Sequence, residues 1–346
     1  MTSNTRQGGG LTLAAARRPG RLRATKRRAL VALIGASILW GGAISGTKFA
    51  LGGFAPLPLL SVELLAATAV LWAALLIRGY RPPGSWWLPL MLGLLEPALA
   101  YLGDTVGLST TSAVSGGEID GLESALVVLL AAVLLRERMT RPVVLSVLAG
   151  LAGLIVLAGF GGGGRGSATG DLFVAGGVLS ASLYTVVAKR FDDGSDALSL
   201  TTWQFTAATV VSLAVTVLRG GAASPSLLLT VPPRFWIAAA LTGIGGFALS
   251  FLVFNSVIGG VDAGWAAVAL NLIPVFGVAG AVTFLGEGVT GSEGIGAVLV
   301  GASVLYFTAA ERRAARPDAR QQTGPDPGRG GREAEPDLVL TTAAAG

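Results

Sequence analysis

Ten runs of apolar residues, each near the length that crosses a lipid bilayer, constrain this chain more than any other feature. A hydrocarbon core about 30 Å thick needs roughly 20 apolar residues at the helical rise. The runs lie at about 29–49, 57–77, 85–107, 112–135, 142–160, 171–188, 197–218, 234–258, 261–285 and 294–311. Turn-forming clusters separate them, among them Gly52-Gly53, Pro82-Pro83-Gly84, Gly161 to Gly164, Asp192-Asp193-Gly194 and Pro232-Pro233. Lipid cannot satisfy exposed backbone polar groups, so each run is expected to be a helix. The expected fold class is an all-α integral membrane protein with ten transmembrane helices.

Charge is partitioned to match. Residues 1–28 hold eight basic and no acidic residues, and 311–346 hold six of each. That leaves 25 of the 45 charged residues for 29–310, about 9% of that stretch, where a soluble domain has about 25%. A soluble enzyme is excluded. Cysteine and histidine are both absent from the sequence. Disulfides, iron–sulfur clusters, haem, the usual zinc sites and imidazole catalysis are thereby removed, and neither cofactor nor metal is expected. The stretch 29–310 carries 11 basic and 14 acidic residues, so the basic excess belongs to the N-terminal tail. Such a tail suits an anionic lipid surface, and no nucleic-acid partner is expected.

Lysine and arginine in the short loops set the orientation. With a cytoplasmic N-terminus, seventeen basic residues from Arg17 to Arg316 fall inside, and Lys48, Arg165, Arg219 and Arg234 outside. Both termini are expected in the cytoplasm of a multi-pass plasma-membrane protein. The first run follows a basic stretch as a secretory signal would, but is too long and lacks a clear cleavage site, so it reads as a retained anchor. Residues 161–166 fit GxGxxG, yet an apolar 19-residue run precedes them instead of a strand, so they read as a loop.

The chain also repeats itself. At an offset of 141, Lys48 matches Lys189, Glu63 matches Gln204, and Ala66-Ala67-Thr68 matches Ala207-Ala208-Thr209. Beyond the loop after segment seven the offset becomes 150: Pro82-Pro83 matches Pro232-Pro233, Trp86 matches Trp236, Gly93 matches Gly243, and Glu137 matches Glu287. Each half holds five spans, and an odd number turns the second half upside down in the membrane. The expected plan is a tail (1–28), a first five-helix repeat (29–160), a Gly-rich linker (161–170), an inverted second repeat (171–311) and a disordered tail (312–346).

Several short motifs sit on this plan: Trp40-Gly41 with Lys48, Ser182-Leu183-Tyr184 with Lys189, Asn271-Leu272-Ile273-Pro274-Val275-Phe276 running to Leu285-Gly286-Glu287, and Leu135-Arg136-Glu137-Arg138-Met139-Thr140. With them the chain resembles the drug/metabolite transporter superfamily, in particular the EamA-type permeases. The resemblance covers about 29–310 and implies a secondary transporter. It also implies that Glu137 and Glu287 are structural punctuation. Two positions depart from the family pattern: Glu63 stands where an arginine is common, and Ser124 where the counterpart of Pro274 is expected.

Five carboxylates within the first-half spans stand out: Glu63, Glu96, Glu118, Asp120 and Glu123. At comparable depth the second half offers only Gln204, Asn255 and Asn271. A charge at the bilayer centre costs roughly 2.5–3.5 kcal/mol, so these acids should line a wet cavity, pair, or carry protons. Asp120 and Glu123 share a helical face, and Gly116, Gly117 and Gly121 allow an irregular turn beside them. Glu96 precedes Pro97 near the expected midplane, where a kink can free carbonyls for a ligand. Trp40, Tyr101, Tyr184, Trp203 and Trp265 are candidate aromatic walls for an organic cation, whereas Trp86, Trp87 and Trp236 fit an interfacial belt. Candidate substrate contacts are thus Glu96, Asp120, Glu123, Trp40, Tyr101, Tyr184, Gln204, Asn255 and Asn271. Candidate proton-coupling groups are Glu96, Asp120, Glu123, Glu63 and Glu118. Glu63 could instead snorkel to the interface, and Lys48 could pair with an acid or snorkel. Gly42 and Gly46 form a GxxxG suited to close packing or a homodimer surface.

The expected function is secondary active transport, in the direction of export, of a small neutral or cationic metabolite or drug, with protons as counter-ion. No Walker A motif is present to supply ATP energy. An intramembrane acid protease would need Gly-x-Gly-Asp, but Asp104 follows Tyr101-Leu102-Gly103. A non-transporting scaffold would not need five buried acids.

Overall fold

The computed structural model describes residues 19–136, 167–191, 195–219, 230–261 and 269–288, with isolated positions within 140–152 and 291–310. Both tails beyond these bounds, Glu137 and Trp265 lie outside the described residues, as do most of segments five and ten. All regular structure among the described residues is helical. Helix α1 spans Pro19–Ala50 and α2 spans Pro56–Arg78. The third span is built in pieces: α3 (Trp87–Gly93), a π-helical turn (Leu94–Leu99) and α4 (Ala100–Leu108). The fourth comprises α5 (Ala113–Asp120) and α6 (Glu123–Leu130), ending in a second π turn (Ala131–Leu135). In the second half, α7 is Ala168–Arg190 and α8 is Ala197–Leu218. There follow α9 (Pro233–Leu241), a π segment (Thr242–Leu249), α10 (Ser250–Asn255) and α11 (Ile273–Leu285).

Among the described residues, five helices are long and apolar enough to cross a membrane: Arg28–Ala50, Pro56–Arg78, Ala168–Arg190, Ala197–Leu218 and Pro233–Asn255. Their burial is inverted relative to a soluble protein. Ile77 and Leu218 are 87% and 84% exposed, while Glu63 and Gln204 are wholly buried. That arrangement suits a hydrocarbon solvent. Trp86 and Trp87, expected at an interface, are exposed at the start of their span.

The repeat is visible in the backbone itself. The third span of each half breaks into a π segment, and the helices after it begin at Ala100 and Ser250, an offset of 150. The fourth and ninth spans restart at Glu123 and Ile273, again 150 apart. Their C-caps, Arg136 and Gly286, are both left-handed at φ 54° and 67°.

Helices α2 and α8 are repeat equivalents, and they pack directly against each other in opposite directions. Thr68 and Thr209, 141 positions apart, share a hydroxyl–hydroxyl bond of 2.7 Å. Around it, the Leu57 carbonyl accepts from Thr216, the Leu64 carbonyl accepts from Thr209, and Trp72 Nε1 donates to Thr206. Numbers rise along one helix as they fall along the other, so a pseudo-two-fold axis passes between the threonines, perpendicular to both helices. Equivalent helices that run antiparallel are what inverted repeats require. The same axis produces reciprocal close contacts. A Cβ on Gly93 would strike the backbone of Gln204, and one on Gly243 would strike the backbone of Glu63.

The proposed GxxxG surface is corrected by this packing. Gly46 lies against Thr242 within the same chain, Gly41 lies against Ile273 and Gly277, and Gly42 faces open space. The packing pair is therefore Gly41 and Gly46, and it is internal.

Leucine at position 93 or 243 should cost about 1–3 kcal/mol through backbone overpacking. Leucine at Gly176, which has no atom within 4 Å of a built Cβ, should stay within about 0.5 kcal/mol of the parent. Melting in detergent checks this, and three equal midpoints would contradict the two-fold packing.

Candidate functional site

Where the repeats meet, a cavity enclosing about 800 Å³ of protein-free space, its open end included, is lined by both halves. The first repeat contributes Trp40, Thr47, Glu96, Tyr101, Asp104, Asp120 and Glu123, and the second contributes Thr185, Phe247, Phe254, Leu270 and Ile273. None of the described lining residues is basic.

Two breaks in regular helix place the acids. Glu96 adopts extended backbone angles (φ −149°, ψ 124°) within the third span. A helix interrupted there leaves carbonyls without intrahelical donors. The Leu95 carbonyl is not among them: it accepts from the Ala100 backbone N–H and also takes a 2.7 Å bond from Ser180 Oγ, which ties the two halves together. The Glu96 side chain is buried at 7% exposure against the cavity, and no hydrogen bond to it is found among the described residues. The fourth span is interrupted by a tightened turn at Gly121-Leu122, where both residues keep right-handed helical angles and the Leu122 N–H bonds the Ile119 carbonyl, with Asp120 and Glu123 on either side. Thr185 of α7 hydrogen-bonds the Glu123 carboxylate. Glu96, Asp120 and Glu123 are thus brought together, close enough for Glu96 to feel the charge of both others.

Asp104 joins them, and the sequence reading reached it only as a residue lacking the protease motif. It stands on α4 eight residues after Glu96 and three after Tyr101, a helical spacing that shares a face. Its carboxylate lies within electrostatic range of Asp120, Glu96 and Glu123. Its Oδ1 is buried without a hydrogen-bond partner among the described residues.

Other candidates sit elsewhere. Glu63 does not snorkel: it is fully buried behind the cavity wall, where Oε1 accepts a 2.9 Å bond from Thr47. Its Oε2 lacks a partner among the described residues. Glu118 belongs to α5 by its backbone, and its side chain lies outside the described residues. Tyr184 donates a 2.6 Å bond to Asn255 Oδ1, and Asn255 Nδ2 donates to Thr201 and to Gln204 Oε1. These three candidates therefore bond to one another behind the wall instead of lining the cavity, and Gln204 Nε2 lacks a partner among the described residues. Asn271 is buried between the lining residues Leu270 and Ile273, and both of its amide atoms lack a partner among the described residues.

The aromatic wall is real but differently composed. Trp40 Nε1 donates to the Tyr101 hydroxyl at 2.9 Å, tying α1 to α4. Tyr101 stacks on Phe247 at 3.9 Å between centroids, and Trp40 meets Phe251 and Phe254 edge-on at 5.4 and 5.3 Å. Trp203 is not part of it; it packs between Trp72 and Trp86.

Lys48 makes no salt bridge among the described residues, although the Glu287 carboxylate lies within electrostatic range of it. Its Nζ donates to the carbonyls of Leu108 and Thr111 at 2.8 and 2.5 Å, completing the C-terminal end of α4. The next helix is held by the other half: the Glu287 carboxylate accepts from the backbone N–H groups of Ala113 and Val114 at 3.4 and 3.3 Å. A carboxylate at a helix N-terminus satisfies orphan donors and opposes the positive end of the dipole. The loop contact expected of Glu287 is thus a cap on the helix that carries Asp120.

The EamA-like transporter family matches the chain twice, at residues 27–159 and again at 168–309. The chain is similar to "Uncharacterized transporter YyaM" of Bacillus subtilis (strain 168), 27% identical over 287 residues, which covers 80% of this chain and 92% of that protein. It is also similar to "Uncharacterized transporter YvbV" of the same organism, 27% identical over 281 residues, 81% of this chain and 91% of that protein. One solved structure, described only as "Crystal structure of protein", superposes with a TM-score of 0.67 at 24% identity. It covers 83% of this chain and 98% of its own, and supports the fold.

Glu287→Ala should destabilise the protein by about 1 kcal/mol through loss of the cap on α5. Lys48→Met, which strands two carbonyls, should cost about 1–3 kcal/mol. Unchanged melting of both variants in detergent would contradict the capping geometry.

Proposed function

This chain belongs to the EamA-like transporter family and is a multi-pass membrane transporter, and we propose that it works as a secondary active exporter of small neutral or cationic metabolites or drugs. The membrane is the plasma membrane, both termini are cytoplasmic, and access alternates as the two inverted repeats rock about the central cavity. The observation that carries this reading is the acidic cavity wall without a basic lining residue among the described positions. Uncompensated carboxylates in a low-dielectric cavity repel an anion and attract a cation.

Four carboxylates on one wall need counter-charge. Protons and a cationic substrate are the two that can alternate there, which makes a proton the natural counter-ion. Glu96, Asp120 and Glu123 are the groups proposed to exchange it, with Asp104 now added. They act as a cluster whose protons belong to the set rather than to one member. Glu63, reached through Thr47, is a supporting member.

In reconstituted vesicles, Glu96→Gln and Glu123→Gln should abolish flux driven by a pH gradient while leaving exchange down a substrate gradient partly intact. Full pH-driven flux in both variants would remove these acids from the mechanism, and robust transport of a sugar phosphate would overturn the charge argument. Reporters fused at residues 165 and 346 should lie on opposite sides of the membrane; the same side for both contradicts the proposed topology.

A further inference from the structure

Applying the offset of 150 to the cavity shows that its two walls are chemical opposites. The equivalents of Asp104, Asp120 and Glu123 are Phe254, Leu270 and Ile273, and all six line the same cavity. The fourth acid, Glu96, has Gly246 as its equivalent, and the next residue, Phe247, lines the cavity. One repeat has placed carboxylates where the other has placed aromatic and aliphatic groups. We propose, resting on the transport reading above, that the cavity binds an amphipathic organic cation in one orientation, its charged end against the first-repeat acids and its apolar body against the second-repeat wall.

Two features of the acidic wall point to a ligand. Glu96 is more than nine-tenths buried, lines the cavity and has no hydrogen bond among the described residues. Asp104 keeps Oδ1 unpartnered in space that exists only because Gly177 lacks a side chain: a Cβ there would stand 2.6 Å from that oxygen. A polar group held buried without a partner is costly, so its place in a cavity wall is explained by a partner that arrives.

The shape of the site selects among cations. A bare metal ion needs several oxygens converging on one point. Among the described residues, no group of three or more acids is arranged to hold one, although four line the cavity. The charge is spread along a wall, which suits a larger, weakly hydrated ammonium. Opposite lie Phe254 and Phe247, joined by Trp40 through its edge-on contact with Phe254, so an apolar body is desolvated there. A compact hydrophilic cation would leave that wall unused, and a neutral apolar molecule would leave the carboxylates unpaired.

The test measures equilibrium binding to the purified full chain in detergent with three probes: 4-phenylbutylammonium, tetramethylammonium and 4-phenylbutan-1-ol. The aromatic ammonium should bind at least about tenfold tighter than either of the others, a difference of about 1.4 kcal/mol. Phe254→Ala should weaken 4-phenylbutylammonium and leave tetramethylammonium unchanged, while Asp104→Asn should reduce the preference for the ammonium over the alcohol. The comparison of probes on the unmodified protein stands even if a variant does not fold. Equal affinity for all three probes, binding of none, or tetramethylammonium as the tightest ligand overturns the proposal. The same probes are then followed as flux in vesicles. The expected binding order without flux supports the site and counts against the transport reading, whereas flux with the three probes bound equally counts against the site alone.

Discussion

The contact between α2 and α8 is the constraint on which the rest of the structure depends. Two copies of one helix can meet about a two-fold axis only through groups that tolerate their own image. Thr68 and Thr209 do so because a hydroxyl both donates and accepts. Hydrogen bonds between membrane helices are worth only about 0.6 kcal/mol on average. Specificity therefore comes from the ladder around the axis, in which Ser61 reaches both Ser212 and Thr216. The close approach at Gly93 and Gly243 adds to it. Once that axis is fixed, the third and eighth spans are pressed against the opposite repeat, and their π segments face the common cavity.

A symmetric frame offers alternating access but no chemistry, and here the chemistry is confined to one half. The acids of the first repeat oppose phenylalanine, leucine and isoleucine at equivalent positions of the second. The supporting contacts cross between halves: Ser180 binds the Leu95 carbonyl, Thr185 holds Glu123, and Glu287 caps the helix bearing Asp120. Movement of one repeat against the other must therefore disturb the groups that hold the acidic wall. That mechanical link joins fold and proposed transport.

Much of this was legible in the sequence because lipid imposes strong rules. Apolar run lengths marked the five spans that are long enough among the described residues, and the matching pairs at offsets of 141 and 150 marked the repeat. Glu96, Asp120 and Glu123 were legible because a carboxylate in an apolar run demands an explanation. Asp104 was passed over although it shares a helical face with Tyr101, since the missing protease motif settled its reading too early. Glu63 and Lys48 were misplaced for a different reason. Burial depth follows from where neighbouring helices pack, and the sequence does not state that Thr47 will face Glu63 or that two carbonyls will take the Lys48 ammonium. Tyr184, Gln204 and Asn255 carried the right chemistry, but tertiary packing turned them toward one another.

The central claim is a single cavity lined by both repeats with a negative field from the first. The chain has no cysteine, so an introduced thiol is unique. Ile44→Cys and Ile273→Cys place one on each repeat's share of the wall, and Ser256→Cys places a control on the exposed surface. The most direct measurement is the rate of labelling by a cationic and an anionic thiol reagent of similar size. The account predicts that both cavity positions react faster with the cation by more than about tenfold. It also predicts that Glu96→Gln with Glu123→Gln erases that preference and that Ser256→Cys shows little of it. Equal rates for the two reagents at Ile44→Cys and Ile273→Cys, or a preference at only one of them, would contradict it.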